Sequence, residues 1–243
     1  MSIATAITAA QGKVADAYTA ISNKGGTLPA TQNLSNMPTA IASIPAISTQ
    51  KYHILDRVKD DNNNDIGTVV AIRIDANNNE YAVVVLDGQY RPSIDTYNYL
   101  NADVFVSGLP VYPYLLNAVG SQETAKYNDD QLETFLAGQP SLSSDALTYC
   151  RNMSFVIDNT TYYGEIPTFP ELVAIMMYKD QVNTLDTSQS SQYIAVNKNY
   201  LSSTQYNTVS PYDIWAIMSG EFTHWYKNSS SYSLLPVLEL PNN

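Results

Sequence analysis

Two β-branched runs, IGTVVAIRI at 66–74 and EYAVVVL at 80–86, are separated only by the five residues DANNN. Val, Ile and Thr suit a pleated surface, and Asp and Asn tolerate tight turns, so the pair predicts a β-hairpin. That hairpin commits the chain to an antiparallel sheet. Further short strands are expected late in the chain, in NYLSSTQY, YDIWAIMS, HWYK and LLPVLEL, and a strand or extended segment over 97–106. Two main helices are expected between the early and late strands. One spans 143–153 and starts at Ser143, Ser144 and Asp145. The other starts at Thr168, with Pro170 in the first turn and Glu171 completing a capping box. Leu172, Ile175, Met176 and Tyr178 are expected on its buried face. Strands first, helices in the middle and strands last predict an α+β fold whose final strands return to the opening hairpin.

The first fifty residues follow a different rule. Ile3, Ile7, Ala10, Val14, Ala17 and Ile21 are spaced alternately four and three apart, the pattern of a heptad seam. Ser2 is a suitable N-cap and Gly25-Gly26 a suitable stop, for a helix about 30 Å long. A second short helix is expected over 34–44, then a low-charge linker over 45–50. The expected division is therefore a helical, coiled-coil-like segment, 1–48, and an α+β domain, 49–243. The stripe could pack on its own chain, but its narrowness and its alanines favour self-assembly or docking. A trimer is favoured, with a dimer as the alternative.

Composition excludes several classes of function. Charged residues make up 14% of the chain, against roughly 25% in ordinary soluble proteins. The net charge is -11 and there is no basic run, which argues against nucleic acid and anionic membranes as partners. The single cysteine, Cys150, rules out an intramolecular disulfide and a thiolate zinc cluster and is expected in the core. The N-terminal residues lack a basic region followed by a continuous apolar stretch, so no signal peptide is expected. No window approaches the roughly 18 apolar residues of a membrane span, and synthesis as a soluble cytoplasmic product is expected.

The inventory for chemistry is thin. The two histidines, His53 and His224, are far apart and accompany no Gly-x-Ser-x-Gly elbow. The runs DDNNND (60–65) and DANNNE (75–80) resemble calcium loops at first sight. Both lack the glycine and glutamate that an EF-hand places at its sixth and twelfth positions, and they are better read as hairpin turns. Glu165 and Glu171 could form a carboxylate pair, but Glu171 already has a capping role. No catalytic residue, metal site or cofactor is expected, and an enzyme is not.

The segment 199–232 holds both tryptophans and is dense in Tyr, Asn and Ser. Tyr and Trp offer large, rigid contact area, and Ser and Asn add adaptable hydrogen bonds, the mixture that antibody binding loops use. Tyr206, Asn207, Tyr212, Asp213, Trp215, His224, Trp225, Tyr226 and Tyr232 are the candidates for a ligand surface. Trp215, in an alternating strand, has an inward-facing alternative.

Two stretches carry resemblances. ISNKGGTLPATQNLSNMPTAIASIP, at 21–45, resembles a motif near the N-termini of bacteriophage tail and fibre proteins: a helix, a Lys-Gly-Gly-Thr-Leu-Pro turn, then an Asn-Leu-x-x-(Leu/Met)-x-x-Ala-Ile helix. Residues 52–240 resemble the C-type-lectin-like domain of phage and bacterial surface proteins, related to the formylglycine-generating-enzyme fold. The likeness rests on the order of the opening hairpin, ALTYCRNM, GEIPTFPEL, YLSSTQY and LLPVLEL. Ile166, Leu201 and Gln205 depart from the Leu, Trp and Glu usual in that family, and the oxidase activity of the related fold needs a cysteine pair that this chain lacks. The resemblance implies a virion structural protein, a fibre or decoration. Its N-terminal segment would contact other virion proteins and its lectin-like domain would meet a host surface glycan or protein. A purely architectural virion component and a bacterial surface lectin-like protein are the alternatives.

Overall fold

The computed structural model describes residues 3–23, 27–43, 50–93, 96–102, 104–186, 188, 193–206 and 213–242, with side chains in 3–23 described at 8 and 10–23. The chain divides into two compact units, Met1–Thr49 and Gln50–Asn243.

In the first unit, helix α1 (Ile3–Asn23) is followed by the short α2 (Met37–Ala42), which carries a proline in its first turn. Tyr18, Ile21 and Ala40 form a small buried cluster, with Val14 and Met37 packed against it. The Tyr18 hydroxyl donates to the Asn33 carbonyl at 2.8 Å. This corrects the expectation for the C-terminal end of the stripe, where Ile21 and Val14 pack on α2 of the same chain. Ala10 is exposed and Ala17 half-buried. The side chains of Ile3 and Ile7, and the expected boundary residues Ser2, Gly25 and Gly26, lie outside the described residues.

The second unit is a mixed α+β domain. Its strands and helices are β1 (Arg57–Lys59), β2 (Asp65–Ile74), β3 (Glu80–Leu86), α3 (Leu115–Val119), α4 (Ala125–Ala137), α5 (Asp145–Arg151), β4 (Ser154–Ile157), β5 (Thr160–Tyr163), α6 (Phe169–Met177), α7 (Lys179–Leu185), β6 (Asn199–Gln205), β7 (Asp213–Met218), β8 (Glu221–Tyr226) and β9 (Val237–Pro241). Among the described residues the strands form three antiparallel sheets, ordered β1-β2-β3-β9, β4-β5 and β6-β7-β8. The closing strand β9 lies beside β3 of the opening hairpin. Residues 82–86 are completely buried, because β3 is central in its sheet and covered on both faces.

Gly67 marks the tightest approach in this sheet. A Cβ there would sit 2.4 Å from the Val85 carbonyl oxygen and 2.7 Å from a Val84 methyl, distances that only a backbone shift could relieve. Gly67→Ala should therefore destabilise the domain by about 1–3 kcal/mol, the usual cost of overpacking, measured by urea denaturation. An unchanged midpoint would mean that β2 can slide away from β3.

Helix α6 begins as the sequence dictates. The Thr168 N–H donates to the Glu171 carboxylate at 2.8 Å, the capping-box contact, and Leu172 and Ile175 are buried. Helix α5 is capped by the Ser144 hydroxyl, which accepts from the Leu147 N–H at 3.1 Å.

Two expectations are corrected. The second unit has five α-helices among its described residues, and the longest of them, α4, was not expected. Of the strand or extended segment expected over 97–106, the strand is not formed among the described residues, beyond a single bridge from Tyr97 to Tyr232. Asn98 and Asn101 instead tie that segment to the start of α5: Asn101 Oδ1 accepts from the Ser143 N–H at 3.0 Å, and Asn98 Nδ2 donates to Asp145 at 2.9 Å.

Candidate functional site

Strands β7 and β8 make a hairpin through Ser219 and Gly220, both at positive φ (51° and 86°), as a two-residue turn between twisted strands requires. The register pairs Asp213 with Tyr226, Ile214 with Trp225 and Trp215 with His224. Strand β8 ends the sheet, and three of its large side chains are open to solvent: Phe222 (45%), Trp225 (43%) and Tyr226 (49%). Trp225 and Tyr226 stand edge to face, with ring centroids 5.5 Å apart.

Behind β8 runs a continuous aromatic stack. The His224 imidazole lies parallel to the Tyr206 ring at 3.6 Å, Tyr206 meets the edge of Trp215 at 5.3 Å, and Trp215 lies 5.1 Å from Phe169 at the start of α6. Asp213 Oδ2 is 2.8 Å from His224 Nδ1 and fixes the imidazole plane. The Trp215 indole N–H donates to the Tyr112 carbonyl at 2.7 Å. The edge strand thus stands on a rigid base.

Of the expected ligand residues, Trp225 and Tyr226 are exposed, and His224 and Tyr206 are half-buried on the same sheet. Trp215 (5% exposed), Asp213 (7%) and Tyr232 (0%) are corrected to interior positions. Trp215 is held by its stack and indole hydrogen bond, Asp213 faces His224, and Tyr232 packs in the core with its hydroxyl on the Tyr226 carbonyl at 3.3 Å. Asn207 and Tyr212 lie outside the described residues. Phe222 was missed by sequence reasoning; it alternates with His224 and Tyr226 along β8, and that spacing was the available signal.

Gln205, which departs from the glutamate of the resembling family, is buried and uses its amide fully. Its Nε2 donates to the carbonyls of Val106 (3.0 Å) and Leu109 (3.3 Å), and its Oε1 accepts from the Val106 N–H (3.1 Å) and from Lys227 Nζ (2.6 Å). An ionised carboxylate has no donor for those two carbonyls.

A second feature escaped the sequence reading. A cleft of about 990 Å³ opens between the β2–β3 turn, the segment 110–112, α3 and the start of α4. Glu123 and Ser121, both buried, line it. Glu123 Oε2 accepts from Asn128 Nδ2 at 2.8 Å and from the Thr204 hydroxyl at 3.2 Å, the Tyr112 hydroxyl also engages this carboxyl, and Ser121 Oγ has no hydrogen-bond partner among the described residues. Burial pushes the Glu123 carboxyl up to about 7, against the opposing pull of Asn128, Thr204, Tyr112 and Arg73. It also pushes Tyr112, on the cleft wall, up to about 12, with Glu123 adding to the rise.

The Asp/Asn runs close two nearly identical turns. Asp60 Oδ1 accepts from the N–H groups of Asn62 and Asn64, Asp75 Oδ1 from those of Asn77 and Asn79, and in each turn the second asparagine's Nδ2 reaches the other carboxylate oxygen. Those contacts hold both carboxyls below the usual range, the Asn64 and Asn79 side chains contributing most. Among the described residues no group of three or more His, Cys, Asp or Glu is arranged to hold a metal ion, and no helix is long and apolar enough to cross a membrane. Cys150 is buried, and burial pushes its thiol up.

Comparison of the chain with family models, curated proteins and solved structures finds no match in any of the three.

Proposed function

We propose that the chain is a bacteriophage virion structural protein, a fibre or decoration that displays its second unit as a C-type-lectin-like domain for adhesion to a host cell surface. The observation that carries this reading is the edge of the β6-β7-β8 sheet, where Phe222, Trp225 and Tyr226 are exposed within six residues on a rigid aromatic base. Large aromatics held open on a fixed scaffold are what recognition surfaces use, because little side-chain entropy is lost on contact.

Three further features support the reading. The opening hairpin is closed by the last strand, in keeping with the lectin-like order of motifs. Charged residues make up only 14% of the chain, which suits contact through aromatic and neutral polar side chains. The α1 stripe, its N-terminal part coiled-coil-like in sequence, is the expected contact for other virion proteins or for further copies, a trimer first and a dimer second. Multiple copies on one particle would raise effective affinity without new contacts. The protein is made in the host bacterial cytoplasm and then resides in the virion.

The test is binding of fluorescently labelled protein to intact candidate host cells, with the Trp225→Ala/Tyr226→Ala variant alongside. Saturable binding is expected for the wild type and its loss for the variant. Absence of saturable wild-type binding on every candidate host would replace adhesion with an architectural role, the aromatic edge contacting other virion proteins.

A further inference from the structure

The accessible charge of the cleft beside α4 is negative. Its Glu123 is buried and engaged by Asn128, Thr204 and Tyr112, so Asp75, on the exposed β2–β3 turn, is the lining carboxylate open to a partner. Asp75 Oδ1 accepts from the N–H groups of Asn77 and Asn79, both at 2.8 Å, and Oδ2 from Asn79 Nδ2 at 2.9 Å. Those donors are neutral. They hold the carboxyl ionised, the Asn79 side chain foremost, and leave its charge uncompensated. Among the described residues no lysine or arginine lines the cleft. Arg73 is committed elsewhere, to the Thr168 hydroxyl at 3.0 Å, to Glu171 and to the Ser121 carbonyl. A chain of net charge -11 draws cations and repels anions.

Aromatic and apolar side chains complete the surface. Tyr112 and Tyr127 line the cleft with their hydroxyls already anchored, the first on the Glu123 carboxyl and the second on the Gly108 carbonyl at 3.1 Å. Anchored tyrosine rings suit an ammonium or guanidinium group, which their π faces attract. Leu116 stands at the rim, 84% exposed. Beyond the lining the apolar surface continues along α3, where Tyr114 is 70% exposed and Leu115 and Val119 are also open to solvent. Large apolar side chains exposed together mark an interaction surface. This one extends past what a small amine in the cleft would cover, and that extent selects a protein segment as the occupant.

We infer that the cleft and α3 together dock a segment of a partner protein that carries a lysine or arginine between apolar residues. Its cation enters beside Asp75, Tyr112 and Tyr127, and its apolar neighbours cover Leu116 and Tyr114. An anionic segment meets no cation in the lining to pair with. A bare metal ion finds one carboxylate already accepting three hydrogen bonds, and no group of three or more His, Cys, Asp or Glu among the described residues. The inference does not depend on adhesion through β8.

The twin turn at Asp60 supplies an internal control. It has the same hydrogen bonds and the same lowered carboxyl, but it does not line the cleft. Asp60→Asn and Asp75→Asn therefore remove one charge each from matched turns, and only the second removes it from the site.

The experiment is a saturation-transfer-difference NMR titration of the full chain with the probe acetyl-Leu-Lys-Leu-amide, the same peptide with norleucine or glutamate in place of lysine, and hexylammonium. The lysine peptide is expected to bind more tightly than the norleucine peptide, and the glutamate peptide most weakly. Asp75→Asn should weaken the lysine peptide about two- to fivefold, the range of an exposed ion pair, and leave the norleucine peptide unchanged. Asp60→Asn should change neither. Leu116→Ala and Tyr114→Ala, at exposed positions that do not threaten folding, should each weaken both peptides several-fold. The Trp225→Ala/Tyr226→Ala variant should bind like the wild type. Failure of the lysine peptide to bind overturns the inference, as does equal binding of the norleucine peptide. Equal losses in Asp60→Asn and Asp75→Asn would reduce the effect to general attraction by an acidic chain, and loss in the Trp225→Ala/Tyr226→Ala variant would move the peptide to β8. Hexylammonium binding as tightly as the lysine peptide, with Tyr114→Ala without effect, would replace the protein partner with a small amine.

Discussion

Replacing Trp215 by alanine is expected to destabilise the second unit by about 3–5 kcal/mol, while the same change at Trp225 costs within about 0.5 kcal/mol. The two tryptophans are ten positions apart on neighbouring strands, but their surroundings differ completely. Trp215 packs between Phe169 and Tyr206, and its indole N–H satisfies the Tyr112 carbonyl. Truncation leaves a cavity in the largest aromatic cluster and strips a buried carbonyl of its donor, two penalties that add. Trp225 is 43% exposed and touches Tyr226 at the sheet edge. For a domain this size each kcal/mol moves Tm by about 2–4 °C, so Trp215→Ala should melt on the order of 10 °C lower in a calorimetric scan. Equal melting temperatures for the two variants would mean that the β7 tryptophan is not the keystone of the stack. Because Tyr112 also walls the cleft, Trp215→Ala should loosen that wall even where the domain still folds.

Local chemistry was legible in the sequence wherever neighbours in the chain determine the structure. The opening hairpin follows from β-branched runs flanking an Asp/Asn turn, and the start of α6 from Thr168, Pro170 and Glu171. Helix α4 was illegible for a physical reason. Its sequence, AKYNDDQLETFLA, has few apolar residues, and two of its buried positions are Asn128 and Asp129. They are buried to serve hydrogen bonds from distant elements: Asn128 reaches Ser203, and Asp129 accepts from the Ile166 N–H at 2.9 Å. No periodicity rule scores such residues as inward-facing. Thr124 was the usable signal, since its hydroxyl caps α4 by accepting from the Tyr127 N–H at 3.0 Å. Missing α4 meant missing the cleft. At the aromatic site the composition could not separate the exposed Trp225 from the buried Trp215 and Tyr232, because both faces of β7 are covered, one by Phe169, Leu172 and Ile175 of α6 and the other by the core that holds Tyr99, Leu132 and Tyr232.

Stability should fall as pH rises from about 5 to 9, and the buried carboxylates under α4 are the cause. Burial pushes Asp129 up to about 8 from 3.8 and Glu123 up to about 7 from 4.5. It also raises Glu165 and Glu239, each reinforced by neighbouring carboxylates. A group whose folded pKa lies above its unfolded value binds its proton more tightly in the native state. Its contribution is fully present below the unfolded pKa near 4 and disappears as pH passes through the folded value. For Asp129 and Glu123 that window runs from about 4 to about 8. Asp186 acts in the opposite sense: its carboxyl is depressed by hydrogen bonds from Ser188 and Gly88 that outweigh burial, so its contribution fades only in stronger acid. The optimum therefore lies on the acidic side of neutrality. The loss by pH 9 is on the order of a few kcal/mol, shared among the buried group. Asp129→Asn isolates one contributor. Its amide oxygen can still accept from Ile166, and it cannot ionise, so Tm of the variant should depend less steeply on pH between 5 and 9 than that of the wild type. Parallel Tm–pH curves for the two proteins would show that Asp129 does not ionise within this range, and the destabilisation would then belong to Glu123, Glu165 and Glu239.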